Sequence, residues 1–330
     1  MKKLLLSIAA LAVMTSCVKD QVVNTPEANP IAFLNHIQYT KAPVYPSFDN
    51  DENKLPAFYV WGFMGAPTGV VFNKELVSYD ENAAAWTYSN VAYWATNKSY
   101  KFAALAPVNN DKIEVTLANG NYLSEEGSLG TVTFENEDGT VDLLYAESNV
   151  TTTSTIPADL KAQLTFNHLL SKVKFTFTNN LVNENSTIVI SNVQMVAPAK
   201  GSVDLSTAPN YAWNVEQGTT TLAFGGALNA DNQSNLASNG GVGVVENERL
   251  TIPLVASESY EVTFDVTIYY GDQEGQTISK SATITNKALV AGKSYNFTAT
   301  LTAENLELQK IDFDVLVDNW VEEGDTNLLN

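Results

Sequence analysis

Alternation of apolar and polar residues along many short segments constrains the fold of this chain more than any other feature. Successive side chains of a β-strand point to opposite faces, so a period of two predicts a sheet with one buried face. Glycine, asparagine and aspartate separate these segments, as expected for turns, and no long window shows helical periodicity with capping residues. The pattern predicts an all-β fold built from β-sandwiches. Four stripes carry the alternation most clearly: Val173, Phe175 and Phe177; Val262, Phe264, Val266 and Ile268; Tyr295, Phe297, Ala299 and Leu301; and Ile311, Phe313, Val315 and Val317.

Two stretches interrupt the alternation, and one turn can be placed between two strand-like runs. Residues 148–155 contain a run of threonines near the midpoint, and we take them as the boundary between an N-terminal domain, 31–152, and a C-terminal domain, 153–330. Two domains are expected because the 330 residues exceed what one hydrophobic core usually serves. Residues 225–243, which are rich in Gly, Asn and Ser, predict a long mobile loop. Residues 269–277 predict a hairpin connection.

The N-terminus has the layout of an export signal. A positive start and an apolar run precede a small-residue cleavage site formed by Thr15, Ser16 and Cys17, the only cysteine of the chain. This pattern predicts a lipoprotein signal peptide at 1–16, cleavage between Ser16 and Cys17, and a lipid on Cys17 that tethers the protein to the outer membrane. The alternatives are a membrane-spanning anchor and a free cysteine that occurs there by chance, but the apolar run is shorter than the roughly 20 residues that a spanning helix needs. Residues 17–30 predict a polar tether.

Charge and chemistry narrow the function classes. The formal net charge of −19 and the pI near 4.4 disfavour nucleic acid as a partner, because its phosphates would be repelled. The two histidines, His36 and His168, have no neighbours at metal-ligand spacing, so we expect structural roles for them, no cofactor, no metal and no enzyme active site. Residues 49–54 begin like a calcium loop, but Lys54 stands where that loop requires glycine.

Five tryptophans leave a second hypothesis about the function open. Aromatic faces suit sugar rings, so a surface lipoprotein that binds glycans is the alternative function, favoured if the tryptophans are exposed and coplanar. A β-sandwich hydrolase is a third reading, which requires two carboxylates in one cleft. The tryptophans are Trp61, Trp86, Trp94, Trp213 and Trp320.

Two motifs resemble the fimbrillin family of type V pilus subunits. Residues 142–146 read DLLYA and residues 162–175 read AQLTFNHLLSKVKF, in the order found in that family. The resemblance implies two transthyretin-like, Greek-key β-sandwich domains in tandem. It also implies a lipoprotein precursor that assembles with other fimbrial subunits by strand exchange, mediates adhesion, and meets host or bacterial surface receptors. Further similar segments are 100–107, 250–253, 292–297 and a late Trp320.

Strand exchange requires one strand that leaves and one that replaces it. Ile31, Phe33, Ile37 and Tyr39 alternate along a candidate removable first strand. The stripe Ile311, Phe313, Val315 and Val317 is the candidate donor. The alternative for both segments is a permanent strand in its own sandwich.

The resemblance also bears on maturation. Members of the family are usually cut after an arginine just beyond the first strand, but here the matching position is Lys41 and the sole arginine is Arg249. Either a lysine-tolerant protease cuts after Lys41 or Lys54, or the subunit keeps its first strand, as would suit an anchor at the base of a pilus. Stalk, tip and anchor roles stay open.

Overall fold

The computed structural model of the chain is almost entirely β-structure. It describes residues 29–37, 55–65, 69–118, 128–182, 185–207, 211–216, 218–254, 259–307 and 311–320. Within these ranges lie one short helix, α1 (Ala303–Glu307), and one 3-10 turn (Leu205–Thr207); neither is long and apolar enough to cross a membrane. The all-β prediction is confirmed. The strands are, in chain order, β1 (Ala32–Ile37), β2 (Ala57–Met64), β3 (Gly69–Asp80), β4 (Ala85–Thr87), β5 (Ser99–Ala106), β6 (Ile113–Leu117), β7 (Gly130–Glu135), β8 (Leu144–Thr151), β9 (Lys161–His168), β10 (Ser171–Asn179), β11 (Ser186–Pro198), β12 (Lys200–Asp204), β13 (Trp213–Val215), β14 (Thr219–Gly225), β15 (Ala227–Leu228), β16 (Asn235–Ala237), β17 (Gly241–Val245), β18 (Arg249–Thr251), β19 (Ser259–Tyr270), β20 (Gln276–Thr285), β21 (Lys293–Leu301) and β22 (Asp314–Asn319).

The first sheet has seven strands in the order β1-β9-β8-β5-β2-β3-β4 and curls around an aromatic core. The curl is evident because Phe33 of β1 contacts Phe72 of β3, with ring centroids 5.8 Å apart, although four strands separate β1 from β3 in the sheet. A bridge between Pro30 and Tyr93 also joins the start of β1 to the segment after β4. β1 therefore closes one side of this core.

The second sheet, in the order β13-β12-β7-β6, covers the other face of the first. Trp61, Leu105 and Tyr145 of the first sheet pack with Phe134 and Val203 of the second in one buried cluster. The central strands of the first sheet are consequently buried on both faces.

The third and fourth sheets form a separate sandwich. The third runs β15-β17-β10-β21-β22 with β18 also on β10, and the fourth runs β14-β11-β19-β20 with β16 also on β11. Their facing side chains make one large core. The first three stripes that alternate in the sequence are buried there, which agrees with the prediction: Val173, Phe175 and Phe177; Val262, Phe264, Val266 and Ile268; and Tyr295, Phe297, Ala299 and Leu301.

Sheet membership does not change at residues 152 and 153. Three later strands, β9, β12 and β13, belong to the first two sheets. Thr152 is buried, and its hydroxyl donates to the carbonyl of Ala95 at 2.6 Å, whereas Thr151 and Thr153 on either side of it are exposed. The division into 31–152 and 153–330 stays a prediction, because sheet membership does not define a unit that folds alone.

The turn predictions had different outcomes. The hairpin over 269–277 is confirmed, since β19 and β20 pair antiparallel on either side of it, with Ile268 opposite Gln276. The long mobile loop over 225–243 is wrong, since β15 and β16 lie within it. Ala227 and Leu236 are buried in the large core, and this burial orders a segment whose composition resembles a loop.

Candidate functional site

β1 is an edge strand held by a single neighbouring strand. It pairs with β9 in parallel, from Ala32 opposite Lys161 to Ile37 opposite Phe166, and no other strand of the described ranges pairs with it. An edge strand leaves one row of backbone groups unpaired and can be replaced by another extended segment. The candidate removable strand thus lies at one end of the sheet order, so its removal would break strand pairing with β9 alone, and β9 in turn pairs with β8 at Asn167 and His168.

The inner face of β1 closes the aromatic core. Ile31, Phe33 and Asn35 are 1%, 3% and 8% exposed, whereas Leu34 between them is 50% exposed. Ile37 has the same parity along the strand, and only its backbone is described. Tyr39 lies outside the described residues.

Phe33 is the main anchor of β1. Its ring lies between four others, with centroid distances of 5.8 to 6.0 Å, and most of the contacts are edge-to-face, the geometry that aromatic pairs prefer. If β1 left, these four rings would line an open apolar pocket. They belong to Phe58, Phe72, Tyr88 and Phe102.

Hydrogen bonds fix the start of β1. The backbone N–H of Ile31 donates to the carbonyl of Ala92 at 2.9 Å, and that of Trp94 donates to the carbonyl of Asn29 at 3.0 Å. The hydroxyl of Tyr88 donates to the carbonyl of Ile31 at 2.5 Å, and burial raises the pKa of Tyr88. These bonds hold the chain in place just before the first residue of β1.

Asn35 is the exception on the inner face of β1. Its side chain is buried, yet neither its amide nitrogen nor its amide oxygen has a hydrogen-bond partner among the described residues. Burying a polar group without a partner costs free energy. The sequence analysis did not identify Asn35, because a polar side chain within an apolar stripe looks like an interruption of the strand. Its position two residues after Phe33 was the sequence feature that could have predicted an inward side chain.

The candidate donor segment forms the last strand of the third sheet. β22 is also an edge strand, antiparallel to β21. Ile311 is buried, Phe313 and Val315 pack partly buried against the large core, and Val317 is 49% exposed. Burial therefore weakens along the segment.

A buried polar cluster follows β22. The ring of Trp320 stacks on His168 with centroids 3.8 Å apart and an interplanar angle of 14°. The Nδ1 atom of His168 lies 2.7 Å from Oδ2 of Asp142, and both side chains are buried. The Nζ atom of Lys172 lies 5.3 Å from the centroid of Trp320 and pairs with Glu248 at 2.9 Å. His168 is thus a structural residue that ties the end of β9 to the chain after β22, while the side chain of His36 is not described.

The tryptophans form no exposed platform. Trp61, Trp94 and Trp320 are buried, and Trp86 and Trp213 are half-buried. An open depression of about 290 Å³ lies above Tyr59, but Lys74 places its Nζ 5.0 Å from the centroid of that ring, over one of the faces on which a sugar could stack. The feature that would favour glycan binding is therefore not found.

A second depression, of about 490 Å³, lies on the outer face of the fourth sheet around Asp265. Hydrogen bonds from the side chains of Ser279 and Asn192 lower the pKa of Asp265. Among the described residues, Asp265 is the one carboxylate that lines this depression and Asp111 is the one that lines the first, whereas glycoside hydrolysis uses two. In the described part of the chain, no three His, Cys, Asp or Glu side chains are grouped to hold a metal.

Four residues predicted to be processed lie outside the described ranges. They are Ser16 and Cys17 at the signal junction and Lys41 and Lys54 at the candidate maturation sites.

Comparison with known proteins identifies one matching family and several solved structures with a similar fold. The model of a family described as fimbrillin-like matches residues 47–320. A fimbrial protein from Bacteroides vulgatus has a similar structure at 14% identity, with a TM-score of 0.61 over 88% of this chain and 99% of that one. A candidate cell adhesion protein from Parabacteroides distasonis is similar at 11% identity, with a TM-score of 0.53 over 90% of this chain and 98% of that one. At these identities the structural matches show a shared fold alone. A search of curated proteins found no match.

Proposed function

Because this chain belongs to the fimbrillin-like family, we propose that it is a structural and adhesive subunit of a fimbria that assembles with other subunits by strand exchange. The observation that carries the proposal is the position of β1, an edge strand whose inner side chains fill an aromatic core. Family membership and the fimbrial and adhesion proteins that share the fold favour a location at the cell surface or in a fimbrium.

The physical basis is the groove that β1 would leave. Loss of β1 would expose the backbone edge of β9 along the six paired positions from Ala32 to Ile37, together with the pocket around Phe33. An extended segment from a neighbouring subunit could restore both the backbone hydrogen bonds and the buried side chains. The donor we propose is the segment with Ile311, Phe313, Val315 and Val317 of a second subunit.

Export and anchoring complete the proposal. We propose that the chain is exported as a lipoprotein, that Cys17 carries the lipid, and that the outer membrane holds the precursor before assembly. Replacement of Cys17 by Ser should abolish incorporation of radiolabelled palmitate and release the protein from the membrane fraction. The proposed function involves no active site and no cofactor.

Limited proteolysis tests strand exchange directly. Mild trypsin treatment of the signal-free protein should cut after Lys41 or Lys54, and N-terminal sequencing should identify the new end. The cut sample should then form polymers that run as a ladder on a gel without boiling. A variant with both Lys41→Ala and Lys54→Ala is the control and should stay monomeric. A cut sample that loses residues 29–37 and remains monomeric at high concentration would contradict strand exchange.

A further inference from the structure

We propose that Asn35 makes β1 the weaker occupant of its own groove, and that the donor segment of a second copy, which carries Val315 at the equivalent position, displaces it for that reason. The inference rests on the proposed strand exchange and adds what drives it. It assigns a role to two residues, Asn35 in the resident strand and Val315 in the donor.

The two segments share one pattern at alternate positions. Residues 31–37 read IAFLNHI and residues 311–317 read IDFDVLV. Ile and Phe stand at the first two alternate positions in both, and Ile37 corresponds to Val317. The one difference in polarity at these positions is Asn35 against Val315. A donor that runs in the direction of β1 would therefore fill the same places with apolar side chains throughout.

The inward positions of β9 beside Asn35 are apolar. In the parallel register Asn35 stands opposite Leu164, and the neighbouring inward positions of β9 are Ala162 and Phe166. All three β9 residues are at most 1% exposed. Asn35 meets no hydrogen-bond partner there among the described residues, whereas a valine at its place would leave no polar atom unsatisfied.

The outer face of β9 also suits the donor. Ala32 of β1 stands opposite Lys161, which is exposed. A donor in the register that the shared pattern sets would put Asp312 opposite this lysine, and an opposite-charge pair across strands is favourable. It would also put Asp314 in the place of the half-exposed Leu34. Both changes favour the donor in one register, with Val315 at the place of Asn35.

A competition experiment measures the preference. A site for a sequence-specific protease is inserted between residues 41 and 42 of the signal-free protein, and the cut protein keeps its β1 fragment bound. A fluorescent peptide of residues 311–320 is then added, and anisotropy gives the equilibrium ratio of bound peptide to bound β1. A second peptide carries Val315→Asn. We expect the wild-type peptide to displace β1 and the Val315→Asn peptide to do so about 10-fold less well, since it restores the unsatisfied amide.

The reciprocal change is made in the protein. Asn35→Val should make displacement by the wild-type peptide about 10-fold harder, because the resident strand then equals the donor at this position. Asn149→Val, the same chemical change at an exposed position of β8, is the matched control and should leave displacement unchanged. The two peptides are compared on an otherwise identical protein, so this arm does not depend on how Asn35→Val folds.

The outcomes separate the two proposals. If both peptides displace β1 equally well, strand exchange stands and the role of Asn35 and Val315 is overturned. If neither peptide displaces β1 at any concentration, strand exchange by this donor fails, and the inference fails with it. If Asn149→Val shifts displacement as much as Asn35→Val, the effect is not local to the groove and the inference is likewise overturned.

Discussion

Replacement of Phe33 by alanine should be the most damaging single change in β1. Phe33 is 3% exposed and touches four aromatic rings. Truncation of a buried Phe costs about 3 to 5 kcal/mol, and the cost is highest where the surroundings cannot collapse into the space. The rings around Phe33 come from β2, β3, β5 and the segment after β4, which the curled sheet holds apart. We therefore expect a loss of about 4 kcal/mol.

Guanidinium unfolding followed by tryptophan fluorescence measures this loss, because Trp94 packs in the same core. The matched control is Leu34→Ala, the next residue on the same strand, whose side chain is half exposed and should cost less than about 1 kcal/mol. If the two variants differed by less than about 1 kcal/mol, β1 would not pack in the register described. Hydrogen exchange along β9 gives a second measurement, since its amides should lose protection in Phe33→Ala and keep it in Leu34→Ala.

Three further predictions concern other parts of the fold. Gly130 and Gly240 have positive φ angles of 112° and 108°. A Cβ at Gly130 would lie 2.3 Å from a backbone oxygen, whereas nothing lies within 4 Å of a Cβ at Gly240. Thermal unfolding should therefore show a cost of about 1 kcal/mol for Gly240→Ala and at least about 3 kcal/mol for Gly130→Ala. His168→Ala leaves the buried carboxylate of Asp142 unpaired and should cost about 3 kcal/mol or more in the same assay, whereas equal stability of variant and parent would contradict the pairing. The lowered pKa of Asp265 implies a stability contribution that is present above its ordinary value of 3.8 and lost as the pH falls through the lowered value. Asp265→Asn should therefore flatten the acid side of the stability profile, by less than about 1 kcal/mol because the group is exposed to solvent, and an unchanged profile would refute this.

Strands with one buried face were predictable from the sequence, and strands with two were not. Val262 to Ile268 alternate cleanly because one face of β19 packs in the large core and the other meets water. β5 is different, since Phe102 and Ala104 face the aromatic core while Ala103 and Leu105 face the cluster beneath the second sheet. Such a strand shows no alternation, and its sequence does not reveal how many layers cover it.

The groove of β1 was only half predictable. The alternation of Ile31 and Phe33 predicts a strand, but its parallel pairing with β9 joins residues about 130 positions apart across the predicted domain boundary. Nothing local in the sequence sets that register. Asn35 breaks the apolar stripe, and departures from local rules concentrate at functional sites. The sequence does not show that Asn35 is buried, and its burial supports a functional role for this residue.

A precursor that exchanges a strand must hold that strand firmly enough to stay folded and loosely enough to release it. Phe33 alone contributes about 4 kcal/mol to docking, whereas the unsatisfied amide of Asn35 costs about 1 to 3 kcal/mol, so β1 remains bound in the absence of a competitor. A donor that supplies its own phenylalanine, Phe313, gains the same aromatic contacts as Phe33 and buries no unsatisfied amide. Among the inward positions, the amide is then the one difference in polarity between the two occupants, so the phenylalanine keeps the monomer intact while the asparagine favours exchange.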